Sequence, residues 1–93
     1  MKKFFYRAEQ GDTVFSLSVK FEVSPCSIIK ENSLKSEIEA GDLLYIVQNG
    51  ERTHAVQPFE RIEELAERYN TTPERLLEKN GVPYIFFGLI IEV

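Results

Sequence analysis

The sequence predicts an α+β fold in which one small β-α-α-β module occurs twice in tandem, each copy a two-stranded antiparallel sheet with two helices packed on one face. Three observations lead there. Shifting the chain by 48 positions lays Val14, Leu17, Ser18 and Phe21 on Ile62, Leu65, Ala66 and Tyr69, and both sets keep the i, i+3, i+4, i+7 spacing of a helix with one buried face. The same shift brings Ser24-Pro25 onto Thr72-Pro73, Ile28-Ile29 onto Leu76-Leu77, and Asn32 onto Asn80. After a one-residue deletion in the second copy, Gly41-Asp42-Leu43-Leu44-Tyr45-Ile46 meets Gly88-Leu89-Ile90-Ile91-Glu92-Val93.

The elements follow in order. Copy one reads as a strand near 5–9, helices near 13–22 and 25–31, and a strand near 43–47. Copy two reads as a strand near 53–56, helices near 60–69 and 73–79, and a strand near 89–93. Asp12 or Thr13 caps the first helix. Ser24 and Thr72 cap the second helix of each copy, with proline in the first turn, where no amide bond is lost. Asn32 and Asn80 follow the second helices, a place for a left-handed residue or for an amide side chain that bonds the loop's backbone. The units divide as 4–47 and 53–93. Between them, Asn49-Gly50 is favoured in tight turns, so either the last strand of copy one pairs with the first strand of copy two, or 48–52 is a short polar linker between independent modules.

Composition narrows the function. Hydrophobic content of 43% with 28% charged residues belongs to folded chains, not to disordered ones. A net charge of −4, with Lys and Arg dispersed among Glu, argues against a nucleic-acid partner. The single cysteine, Cys26, allows no internal disulfide and suits a reducing compartment. The opening Lys2-Lys3-Phe4-Phe5-Tyr6 resembles a secretion leader for a few residues only before Arg7, Glu9 and Asp12 intervene, and no apolar run is long enough to span a bilayer. The expectation is a cytoplasmic chain without membrane insertion.

Several of these residues together resemble the LysM family. Tyr6-Arg7-Ala8-Glu9-Gln10-Gly11-Asp12-Thr13-Val14 is similar to the LysM opening, and Asn32, Leu34, Ile38 and Gly41-Asp42-Leu43-Leu44-Tyr45-Ile46 to its close. The second copy keeps His54-Ala55-Val56-Gln57-Pro58, Ile62 to Tyr69, Asn80 and Gly88, but reads Phe59-Glu60-Arg61 in place of Gly-Asp-Thr. The resemblance implies a non-catalytic module that binds N-acetylglucosamine polymers, peptidoglycan or chitin, in a shallow groove and without a cofactor. Carried onto this chain, Gly11, Asp12, Thr13 and Val14 line one side of that groove, and Ser33, Leu34, Lys35 and Ile38 the other. Amides at the start of the first helix have no intrahelical partner and are expected to donate to sugar oxygens; Val14, Leu34 or Ile38 would meet the acetamido methyl. Cap and turn chemistry alone also accounts for Gly11, Asp12 and Thr13. In copy two Phe59 replaces the glycine, so no sugar binding is expected there.

Other features support no catalysis. His54 has no metal-ligand partners at suitable spacing and reads as a strand residue, while Cys26 lacks a nearby histidine and reads as solvent-facing. The run Glu60, Glu63, Glu64 and Glu67 with Arg61 and Arg68 reads as a solvated helix face. Phe15 either stacks on a sugar or covers a neighbouring element. Tyr84, Ile85, Phe86 and Phe87 either present a protein-binding patch or bury in part against the core and copy one. An intracellular assembly module, docking onto protein and binding no sugar, is therefore the second functional reading.

Overall fold

The computed structural model of the protein describes residues 2–48 and 52–93. It runs β1 (Lys2–Arg7), α1 (Val14–Phe21), α2 (Pro25–Asn32), β2 (Leu43–Gln48), β3 (Thr53–Ala55), α3 (Ile62–Arg68), α4 (Pro73–Asn80) and β4 (Ile90–Glu92). The α+β expectation holds: there are two small antiparallel sheets, β1 with β2 and β3 with β4, each accompanied by two helices. Among the described residues no helix is long and apolar enough to cross a membrane.

Alternation along the strands builds the cores. Phe4 and Tyr6 of β1 turn inward opposite Ile46 and Leu44, while Phe5 stays exposed. Ala8, Leu17, Val23, Ile28, Ile38, Leu44 and Ile46 form one core. Val56, Leu65, Leu76, Leu89 and Ile91 form a second, separate one. Each sheet is closed by the same pair of bonds: Ala8 N–H donates to Asp42 O and Gly41 N–H to Ala8 O, matched by Val56 N–H to Leu89 O and Gly88 N–H to Val56 O. β1 ends at Arg7 and not at residue 9, because Glu9 already opens the turn, its N–H bonded to Asp12 Oδ2 and its C=O to Asp12 N–H.

The two units also match in their backbone dihedrals. Positive φ occurs at Gly11 (90°) and Phe59 (67°), at Glu22 and Asn70 (both 56°), at Ser33 (51°) and Gly81 (62°), and at Gly41 (95°) and Gly88 (92°). Every such residue in one unit has its counterpart in the other. Asn32 and Asn80 are not left-handed themselves; the following residue is. Their amides take the other role, bridging helix and strand: Asn32 Nδ2 donates to Ile28 O and Tyr45 O while Oδ1 accepts from Tyr45 N–H. Asn80 repeats this with Leu76 O, Glu92 O and Glu92 N–H.

Helix starts differ between the units. Thr13 caps α1 in a reciprocal box, its Oγ1 accepting from Ser16 N–H and its own N–H donating to Ser16 Oγ. Arg61 stands at the start of α3 and makes no side-chain cap, while Glu63 and Glu64 in the first turn interact favourably with the positive end of the helix dipole. Glu60 folds back onto Gln57 N–H instead of entering the helix, and α3 therefore begins at Ile62. Phe59 holds a left-handed conformation that L side chains avoid, and it is 99% exposed. Phe59→Gly is expected to stabilise the second unit by roughly 0.5–1 kcal/mol, relief of strain outweighing the entropy of an added glycine. Urea denaturation checks this; a destabilised variant would contradict it.

The middle of the 48–52 junction, Asn49-Gly50 included, lies outside the described residues. Among those described β2 pairs with β1 and β3 with β4, so no hairpin joins the copies. Each strand finishes its own sheet because its apolar face covers its own helices. The copies nevertheless touch. Ser24 Oγ donates to Glu92 Oε2 at 2.8 Å, Cys26 Sγ lies 3.7 Å from Lys79 O, and the Phe15 ring meets that of Phe86. Cys26 is thus half-buried against the second unit and not fully open to solvent.

Candidate functional site

The β1–α1 loop and the α2–β2 loop lie side by side at one end of the first unit. Gly11 makes the first turn possible, and Asp12 locks it: Asp12 Oδ2 accepts from Glu9 N–H at 2.8 Å and from Tyr6 OH at 2.7 Å. Asp42 does the same for the second loop, accepting from Glu39 N–H at 2.9 Å, and Arg7 donates to Gly41 O. Glu37 then ties the loops together. Its Oε2 accepts from Val14 N–H and Ile38 N–H, each at 3.0 Å.

Between the loops lies a shallow groove of about 300 Å³, lined by Val14, Ile29, Leu34, Lys35, Ser36 and Glu37. Three of the expected residues, Val14, Leu34 and Lys35, are in that lining. Gly11, Asp12 and Thr13 instead shape the loop beside it, Ser33 is the left-handed cap of α2, and Ile38 is buried in the core. Ile29, Ser36 and Glu37 complete the lining without having been singled out from the sequence.

The expected free amides are not free. Val14 N–H is taken by Glu37, Thr13 N–H by Ser16 Oγ and Asp12 N–H by Glu9 O. A polar ligand group therefore meets the Glu37 carboxylate, the Ser36 hydroxyl and the Lys35 ammonium over an apolar floor of Val14, Ile29 and Leu34. The Glu37 carboxylate is already bonded to two backbone amides, and the arrangement can hold a ligand.

The second unit keeps the loop lock in different chemistry. His54, Gln57, Glu60, Arg68 and Tyr69 stand 48 positions after Tyr6, Glu9, Asp12, Lys20 and Phe21. His54 Nε2–H donates to Glu60 Oε1 at 2.7 Å, Gln57 N–H donates to the same oxygen, Arg68 reaches Glu60 Oε2 at 3.3 Å, and Tyr69 OH lies 3.3 Å from His54 Nδ1. His54 is thus the centre of a network and more than a plain strand residue. Where the groove should be, Pro83 and Tyr84 replace Lys35 to Glu37, and Ile85 packs on the core as Ile38 does.

Both lock carboxyls titrate low. The Glu9 amide and then the Tyr6 hydroxyl hold Asp12 below the usual carboxylate range, and the Gln57 amide and then His54 do so for Glu60. The Asp12 carboxylate, followed by burial, raises the Tyr6 phenol. With folded-state values depressed, the unfolded chain takes up protons first on acidification. The stability these loops supply is complete above the ordinary carboxylate range and is lost as pH falls through it toward the folded values. Asp12→Asn with Glu60→Gln is expected to flatten the acid limb of the stability profile, measured as urea midpoints against pH; an unchanged slope would contradict it.

Residues 6–47 match the family model described as LysM domain. Over these residues the chain is thus similar to a LysM domain, a kind of domain that typically binds peptidoglycan or chitin glycans. Among solved structures, the chain is similar to the spore cortex-lytic enzyme SleL of Bacillus cereus, at 23% identity and a TM-score of 0.49 over 100% of this chain and 23% of that one. It is also similar to the SleL of Bacillus megaterium QM B1551, at 20% identity and a TM-score of 0.45 over 96% of this chain and 22% of that one. The chain spans less than a quarter of either. No curated protein sequence matches it significantly.

Proposed function

We propose that the first unit, 4–47, is a non-catalytic carbohydrate-binding module whose groove takes N-acetylglucosamine units of peptidoglycan or chitin. The observation that carries this is the groove itself: an apolar floor of Val14, Ile29 and Leu34 under a polar edge of Lys35, Ser36 and Glu37. An N-acetylated sugar offers the matching pair, a methyl for the floor and hydroxyl and amide hydrogens for the Glu37 carboxylate. The acidic balance of the chain does not oppose a neutral glycan. With such a ligand the working location is a cell wall or a spore wall.

The second unit, 53–93, is read as a degenerate LysM-like copy that binds no sugar alone. Its backbone supports the kinship, since each positive φ and each bond of Asn80 repeats the first unit. Its loops support the loss, with Phe59 for Gly11 and Pro83-Tyr84 for the polar edge. A second reading, a protein-assembly module, draws on Tyr84 and Phe87, which are 65% and 68% exposed.

Co-sedimentation with insoluble peptidoglycan and with chitin separates the two. Retention on either glycan that free chitin oligomers displace supports the first reading. Failure to sediment with both would leave the assembly reading in its place.

A further inference from the structure

We infer that the groove continues onto an aromatic platform built jointly by the two units, so that the preferred ligand is an oligosaccharide and not a single sugar. This rests on the glycan reading of the groove. Phe15 follows the groove residue Val14 at the start of α1, and its ring sits beside that of Phe86, with centroids 5.9 Å apart and planes inclined by 34°. Phe86 in turn stands 6.3 Å from the Tyr84 ring. A Cβ built on Gly88 would lie 4.0 Å from Phe15 Cζ, so the second unit's backbone also backs this ring.

The platform is held in place yet open. The Ser24–Glu92 bond and the Cys26–Lys79 contact join the units, while Phe86 remains 43% exposed and Phe15 44%. This is also where the repeat breaks down, with polar Ser36-Glu37 of copy one giving way to the aromatic stretch of copy two. A β-linked N-acetylhexosamine chain fits such a strip. Its ring C–H faces rest on the electron-rich faces of Phe15 and Phe86, the Tyr84 ring, inclined by 60° to Phe86, flanks it, and its acetamido group stays in the groove. The second unit then contributes to recognition without a groove of its own.

Calorimetry on the full chain with chitin oligomers from the disaccharide to the hexasaccharide tests this. Affinity is expected to rise about tenfold beyond the gain from sliding registers, which grows only in proportion to the number of sugars. Tyr84→Ala with Phe86→Ala should remove that excess and leave disaccharide affinity unchanged. The chain has no tryptophan, so Phe86→Trp supplies a single indole, excited selectively at long wavelength, whose emission should shift with the hexasaccharide and not with the disaccharide. Disaccharide binding with no excess for longer chains, or an excess that survives the double substitution, would overturn the platform and leave the groove standing. Absence of binding at every length would overturn both.

Discussion

Asn80→Ala is expected to cost the second unit about 3 kcal/mol, enough to unfold so small a module. Asn80 is buried and its amide makes three bonds: to Leu76 O at 2.9 Å, to Glu92 O at 3.0 Å and from Glu92 N–H at 2.7 Å. These join α4 to β4, the shortest paired strand together with β3. Truncation leaves the partly buried Glu92 N–H and C=O without these bonds, and each unsatisfied buried group costs about 1–3 kcal/mol. Asn32→Ala should act alike on the first unit but less severely, because Asn32 is only half-buried. Thermal unfolding followed by circular dichroism, with amide exchange at Glu92, measures both. A loss below about 1 kcal/mol for Asn80→Ala would contradict the bridging role.

Ile29→Glu is expected to lower glycan affinity at least about tenfold, or roughly 1.4 kcal/mol, while leaving the melting temperature of the first unit nearly unchanged. Ile29 lines the groove, is 42% exposed, and stands outside the core cluster that includes Leu17 and Ile28. Glutamate keeps the helix, since it is a good helix former on an open face. It also places a second carboxylate on the apolar floor near Glu37. Calorimetry with chitin trisaccharide reads the effect; unaltered affinity in the folded variant would move the binding surface elsewhere.

How much of this was legible in the sequence depended on the range of each interaction. The helices were, because Val14, Leu17, Ser18 and Phe21 recur at helical spacing in copy two, and Ser24-Pro25 and Thr72-Pro73 mark local starts. Asn32 and Asn80 were flagged by the repeat, and only the coordinates chose bridging amide over left-handed backbone. Glu37 left no local signal, because it reaches Val14 across 23 positions and its partners are backbone amides common to every residue. Its arrival there removed the free donors on which the sequence-based picture of sugar recognition rested. Ile29 was masked by its neighbour: Ile28-Ile29 reads as one apolar pair, although Ile28 enters the core and Ile29 the groove. The same held for His54, whose partners Glu60 and Tyr69 become visible once they are set beside Tyr6, Asp12 and Phe21 of the first unit.

Amide shifts of the isotopically labelled chain, followed while chitin trisaccharide is added to millimolar concentration, test the glycan-binding claim most directly. Movement is expected at Val14, Ile29 and 34–37, with the Asn80 bridge and the His54 network unmoved. A spectrum unchanged across that stretch, from a chain still folded, would contradict it.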